Sequence, residues 1–176
     1  GWRPLAGEAR VHNRRGLLFT ALGCFDPAVE KAAKVSEVAK AAALCAKAQG
    51  LLDLGVPEAA GSIAEQAVAC DSRSLLGLAL RAEAEERLLE LRDAKTHAKS
   101  VVSRAANRKR HWKVHARALR VLARLEGMRG NVTTARKRAK EAVNLDDAKR
   151  GPDCRAGAAG ASSTSRMLRS LTKSAR

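Results

Sequence analysis

Small side chains return at helical spacing four times along this chain, and that recurrence constrains the fold more than any other feature. The stripes are Ala28-Ala32-Val35, Ala60-Ala64-Ala67-Val68, Ala94-Ala98-Val101-Val102 and Ala135-Ala139-Ala142-Val143. Residues four and seven apart lie one above another on a helix, so each stripe marks a buried helical face. Their first residues are spaced by 32, 34 and 41 positions. A repeat of that period predicts stacked helical units, each too small to bury its apolar face alone. Turn signals stand before the stripes: Leu22-Gly23-Cys24-Phe25-Asp26-Pro27, Leu54-Gly55-Val56-Pro57 and Gly130-Asn131. Glycine ends helices and proline suits a first helical turn, so each signal is read as a break between two helices. Composition agrees. There is no Tyr, and Trp2, Phe19, Phe25 and Trp112 are the only aromatics. Alanine and leucine carry the apolar content, which favours packed helices over strands.

The segment from Asn13 through Gly16, Phe19 and Gly23 to Ala28 resembles the first helix and turn of a tetratricopeptide (TPR) repeat. Gly16, Phe19, Ala28, Ala32 and Val35 fit a first repeat. Leu44, Ala48, Leu51, Ala60, Ala64 and Ala67 fit a second. Leu78, Ala82, Ala94, Ala98 and Val101 fit a third, and Leu119, Leu122, Ala123, Ala135, Ala139 and Ala142 a fourth. The chain departs from the family pattern in having Ala and Leu where aromatics are usual. Ser72, Ala106 and Asp147 stand where an inter-repeat proline is usual, and the interval of 41 implies a longer connection or helix across Asn107–Lys113. The resemblance implies an all-α protein, a right-handed α-solenoid of about four degenerate helix-turn-helix repeats, with a groove lined by the first helix of each repeat. The expected organisation is an N-terminal arm at 1–9, the solenoid at 10–150 and a flexible basic tail at 151–176. In that tail Met167, Leu168 and Leu171 form a short apolar stripe among Arg166, Arg169, Lys173 and Arg176.

Charge is divided unevenly. Residues 1–100 hold 14 Lys/Arg against 13 Asp/Glu, whereas residues 101–176 hold 20 against 5. The net charge of +16 therefore lies almost wholly in the second half. Such an asymmetry points to a polyanionic partner. The densest stretch runs through Arg108, Lys109, Arg110, Lys113, Arg117, Arg120 and Arg124. Spacings of 3, 4, 3 and 4 place Arg110, Lys113, Arg117, Arg120 and Arg124 on one helical face. The repeat register turns Arg117, Arg120 and Arg124 toward the groove. Arg136, Lys137, Arg138 and Lys140 are read as a second cluster on the next helix. Like charges at i, i+4 destabilise a helix by about a few tenths of a kcal/mol per pair, a cost that phosphate contact relieves. Arginine, which dominates here, grips phosphate with a bidentate fork. Trp112, within the run, is read as filling the helix–helix core rather than stacking on a base.

Catalytic signatures are missing from the sequence: it has no G-x-x-x-x-G-K-[ST], G-x-G-x-x-G, G-x-S-x-G or H-E-x-x-H. His111 and His115 sit four apart, but Arg108, Lys109, Arg110, Lys113 and Arg117 around them oppose a cation. Glu83, Glu85, Glu86, Glu90 and Asp93 alternate with Arg81, Arg87 and Arg92 and are read as solvated helical ion pairs. The Lys and Asn with which some TPR domains hold chaperone carboxyl termini have no counterpart at Asn13, Leu17, Cys45 or Gln49, so that ligand is not expected. Cys24, Cys45, Cys70 and Cys154 form no zinc spacing, and free thiols in a reducing compartment are expected. No apolar run reaches membrane-spanning length and no signal peptide is seen. The chain begins at Gly1, which leaves room for a transit peptide already removed.

The expectation is a non-catalytic TPR-like scaffold without cofactors, in an intracellular and reducing compartment. Its setting would be a large ribonucleoprotein assembly such as a mitochondrial or plastid ribosome. RNA phosphates would meet the basic half without sequence preference, and neighbouring proteins the neutral half. The alternative is an adaptor in another complex, with the basic face on acidic protein or anionic lipid. Neither a small-molecule substrate nor a membrane partner is expected.

Overall fold

The computed structural model describes residues 3–8, 18–106 and 109–150, and no strand occurs among them. The helices are α1 (3–8), α2 (Leu18–Ala33), α3 (Glu37–Leu54), α4 (Pro57–Cys70), α5 (Leu75–Arg87), α6 (Leu91–Ala105), α7 (Trp112–Met128) and α8 (Val132–Arg150). A 3-10 turn, Lys109–His111, leads into α7. None of these helices is long and apolar enough to cross a membrane. The chain divides into two units, Gly1–Glu90 and Leu91–Arg176. The expected arm at 1–9 falls partly, and the tail at 151–176 wholly, outside the described residues, as do Asn13, Gly16, Leu17, Arg108, Cys154 and the Phe19 and Lys109 side chains.

In the first unit α3 packs on α2, α4 and α5. Ala60, Ala64 and Ala67 are all fully buried, against Leu44, Cys45, Ala48, Leu51, Leu52, Leu80 and Ala84. Alanine there lets two helix axes approach closely, and leucine from α3 and α5 fills the remaining volume. Side-chain oxygens cap two helices: Ser36 Oγ accepts from the Ala39 amide at 3.1 Å and Ser74 Oγ from the Gly77 amide at 3.2 Å. Each satisfies an amide that the first turn leaves without a partner.

The turn expected at Leu22–Pro27 does not form. α2 runs unbroken through Gly23 and Pro27. Proline's fixed φ is compatible with a helix, and its cost there is about 3 kcal/mol. Burial opposes that cost: Phe25, Ala28 and Ala32 are 0–1% exposed. Phe25 and Ala28 cluster with Ala6 of α1 and Ala46 of α3. The Phe25 ring occupies the place of the absent Gly50 side chain, since a Cβ on Gly50 would stand 2.6 Å from Phe25 Cε2. Val35, read as the end of the first stripe, lies beyond α2 and is 69% exposed.

In the second unit α7 packs between α6 and α8. Ala94, Ala98 and Val101, then Ala135, Ala139 and Ala142, are fully buried. The long interval before the fourth stripe is taken up by the 3-10 turn and by α7, which has 17 residues where α5 has 13. Turns of one kind close α3, α5 and α7. Gly55, Leu89 and Gly130 each take a left-handed conformation, at φ 79°, 63° and 79°. The next amide reaches back in each case: Val56 to Leu51 O, Glu90 to Glu85 O and Asn131 to Glu126 O, at 2.9–3.0 Å. Those bonds satisfy carbonyls that the helix end leaves open.

Candidate polyanion-binding site

α7 shows how its cations come to share a surface. His115, Ala116, Ala118, Leu119, Val121, Leu122, Ala123, Leu125 and Glu126 are buried between α6 and α8. The opposite ridge carries Lys113, Arg117, Arg120 and Arg124, the first exposed and the others half-buried. Arg110 is exposed in the 3-10 turn that precedes α7. The spacing of 4, 3 and 4 thus places Lys113, Arg117, Arg120 and Arg124 along one face of α7.

The ridge is partly tied down. Arg120 Nη2 forms an ion pair with Asp146 Oδ2 of α8. Arg110 Nε donates to His111 Nε2 at 3.1 Å. Lys113 Nζ lies 5.4 Å from the centroid of the Trp112 ring, a cation–π contact. Trp112 is therefore not a core residue: it is half-buried at the first position of α7, beneath a lysine. Arg117 and Arg124 also make interactions within the chain.

The four cations of α8 do not form one patch. Adjacent helical residues differ by about 100° in direction. Lys137 and Lys140 are exposed, while Arg136 and Arg138 are half-buried on opposite flanks of the Ala135-Ala139-Ala142 stripe. Arg138 sits within electrostatic reach of Glu126.

Glu126 was not singled out by the sequence, although it organises the end of α7. Its carboxylate, 6% exposed, accepts Asn131 Nδ2 at 2.9 Å and pairs with Lys95 Nζ of α6 at 2.9 Å. These hydrogen bonds, Asn131 first and Lys95 next, hold its pKa down at about 2 against the opposing effect of burial. The signal in the sequence was slight: Asn131 follows the turn glycine, and Lys95 follows the stripe residue Ala94.

The other polar residues weighed from sequence have structural settings. Arg81 pairs with Glu85 at 2.9 Å and Glu65 at 3.2 Å, and Arg87 with Glu83 at 3.0 Å. Ion pairs are present as expected, but Glu85 and Glu86 are each 5% exposed rather than solvated. His115 is buried, and its Nε2 has no hydrogen-bond partner among the described residues. Gln49 donates to Asp53 at 2.7 Å. Cys45 is buried, with Sγ 3.7 Å from Ser74 Oγ, and Cys24 and Cys70 are half-buried free thiols. Burial foremost, and then the Glu37 carboxylate, push the Cys70 thiol pKa up, which disfavours the nucleophilic thiolate.

No family model and no curated protein matches the sequence. Solved structures do match. The chain is similar to two crystal structures of nearly identical TPR-like repeats from a Podosopora anserina protein assigned as a kinesin light chain. The first, a point variant of that protein, superposes with a TM-score of 0.68 at 18% identity, over 98% of this chain and 85% of that one. The second gives 0.67 at 18% identity, over 98% and 86%. At that identity the likeness concerns architecture alone, and with the buried stripes and recurring turns it gives the conclusion that this chain has the TPR-like helical-repeat fold.

Proposed function

We propose that this chain is a non-catalytic TPR-like scaffold of a ribonucleoprotein assembly, contacting RNA phosphates through the ridge of α7. The observation that carries this reading is the accessible row Arg110, Lys113, Arg117, Arg120 and Arg124, within a stretch holding 20 Lys/Arg against 5 Asp/Glu. An arginine ridge spaced along a rigid helix suits a phosphate backbone, and released counterions supply most of the affinity. Few aromatics are present to stack unpaired bases, so contact without sequence preference is the form proposed. The neutral first unit then serves neighbouring proteins. The assembly in view is of the kind of an organellar ribosome, in a reducing compartment where free thiols persist.

The test is binding of a fluorescent single-stranded RNA across a salt series. The variant is Lys113→Gln with Arg117→Gln and Arg124→Gln, which spares the Arg120–Asp146 pair. Each lost phosphate contact lowers the log–log salt slope by about 0.7, so the variant is expected to lose about 2. Absence of binding by the wild-type chain at low salt sinks the RNA reading. An adaptor on an acidic protein surface is the second reading, favoured by the chain's own carboxylate pairs, Arg120–Asp146 and Lys95–Glu126.

A further inference from the structure

The indole of Trp112 is covered by a side chain that is free to leave it. Trp112 opens α7, with Ala116 and Leu119 four and seven residues on, along the same helical flank. Ala116 and Leu119 are packed into a cluster with Val102, Ala142 and Leu145. Trp112, at the start of that flank, is half-buried. Lys113 Nζ stands over its ring, 5.4 Å from the centroid. Lys113 is exposed and begins the row that Arg117, Arg120 and Arg124 continue. A ring face that an exposed, flexible side chain reaches is a face that a ligand reaches from solvent.

The chemistry of this pair selects the ligand. An indole face attracts a cation, and it also stacks on any nucleic-acid base. At an exposed site the cation–π contact is the weaker of the two, so an unpaired base exchanges favourably for the ammonium. The released ammonium keeps its charge, and the strand that supplies the base supplies a phosphate beside it. One ligand thus satisfies both side chains, with further phosphates along the arginines. Polyphosphate offers no base, and a duplex keeps its bases paired and stacked inside. A single strand offers base and phosphate together.

We infer that Trp112 is a stacking platform for one unpaired base of single-stranded RNA, with Lys113 as the side chain that vacates the ring and takes the adjoining phosphate. This role rests on the RNA reading of the α7 ridge, and it adds the strand class and one contact outside the salt-dependent set. Every base has a π-face, so a single platform brings no sequence preference.

The test uses the full chain with Trp2→Phe, which leaves Trp112 as the sole tryptophan. Its emission is followed during titration with four polyanions: a mixed-sequence single-stranded RNA, the same RNA paired with its complement, an abasic strand of equal length and inorganic polyphosphate. The single strand is expected to quench Trp112, and the other three to bind with little quenching. Affinities come from labelled RNA and its competition by polyphosphate. Trp112→Leu should weaken the single strand by at least about fivefold more than it weakens polyphosphate, and leave the salt slope in place. Trp112→Phe, which keeps a ring, should weaken it less. Lys113→Gln should retain the quenching and lower the salt slope by about 0.7, one phosphate contact. Circular dichroism checks the folding of each variant, and the quenching itself requires no change at Trp112. Equal quenching by the abasic strand, polyphosphate or duplex overturns the inference, as does a Trp112→Leu loss shared alike by RNA and polyphosphate, which would make Trp112 a structural residue. Single-strand binding with a steep salt slope and no quenching overturns it while leaving the ridge reading in place. No binding of any polyanion at low salt removes both.

Discussion

Leu89 takes the part of a glycine. At φ 63° it closes α5 with the same backbone bonds that Gly55 and Gly130 make after α3 and α7. A side chain in that region costs roughly 1–2 kcal/mol, and glycine avoids the cost while losing about 0.5–1 kcal/mol to chain entropy. Leu89 is 70% exposed, so little burial opposes the exchange. Leu89→Gly should therefore raise the free energy of unfolding read from urea titration, by up to about 1 kcal/mol, whereas Gly55→Ala and Gly130→Ala should lower it. A fall for Leu89→Gly would mean that the leucine has a contact role outweighing its backbone strain. Gly50 sets two other effects against each other. In mid-helix, alanine is favoured over glycine by about 1 kcal/mol. Here the added Cβ would stand 2.6 Å and 2.9 Å from two carbons of the buried Phe25 ring, and overpacking costs typically about 1–3 kcal/mol. The clash should win, so Gly50→Ala is expected to destabilise. Combining it with Phe25→Leu should be less harmful than the sum of the two single changes, as a double-mutant cycle in urea would record.

At the scale of the helix, the end of α7 hangs on one carboxylate. Glu126 in the folded chain titrates at about 2, against an ordinary 4.5. As pH falls, the unfolded chain takes up this proton first. The site's contribution is full above about pH 4.5, declines below it and is gone once the pH passes about 2. It is on the order of 1–3 kcal/mol, the usual range for hydrogen bonds to a buried charge. Urea unfolding at pH 7 and pH 3 should show a smaller acid loss for Glu126→Gln than for wild type, starting from a lower value at pH 7. An equal loss in both would remove Glu126 from the acid response. The sequence made some of this level legible. Alanines at period 3.6 in the second, third and fourth stripes all proved 0% exposed, because only a tightly packed helix face selects such small residues at such regular intervals. The Leu22–Pro27 break was misread because glycine and proline are local signals, whereas burial of Phe25, Ala28 and Ala32 is decided by α1 and α3. The turn at Leu89 has no residue signature. Arg136 to Lys140 looked like one cluster because neighbours in sequence point about 100° apart on a helix. Arg120–Asp146 and Lys95–Glu126 join residues on different helices, a pairing that one sequence does not announce.

For the molecule as a whole, the governing fact is that charge is not shared between the units. Residues 1–90 are close to balanced, with 11 Lys/Arg against 12 Asp/Glu, while residues 91–176 hold 23 against 6 and so carry the whole of the net positive charge. Like charges held together in a folded unit repel, and screening or a bound polyanion relieves the repulsion. A neutral unit gains nothing by that route. Ligands that bind only the folded form also stabilise it by mass action. The two units should therefore answer differently to the same additive. Hydrogen exchange read by mass spectrometry would separate them, since α3 to α5 and α6 to α8 yield distinct peptides. Inorganic polyphosphate at low salt is expected to slow exchange in α7 and α8 severalfold and to leave α3 and α4 nearly unchanged. Sodium chloride at equal ionic strength should give a smaller effect of the same pattern. The variant with Lys113, Arg117 and Arg124 changed to Gln should respond less to polyphosphate and about as before to salt, because it loses a site but keeps most of the charge. Protection that rises equally in both units would mean that the additive acts on the chain generally. Protection of α8 without α7 would move the anion away from the ridge, toward Lys137 and Lys140, and would reassign the contact surface to the exposed face of the last helix.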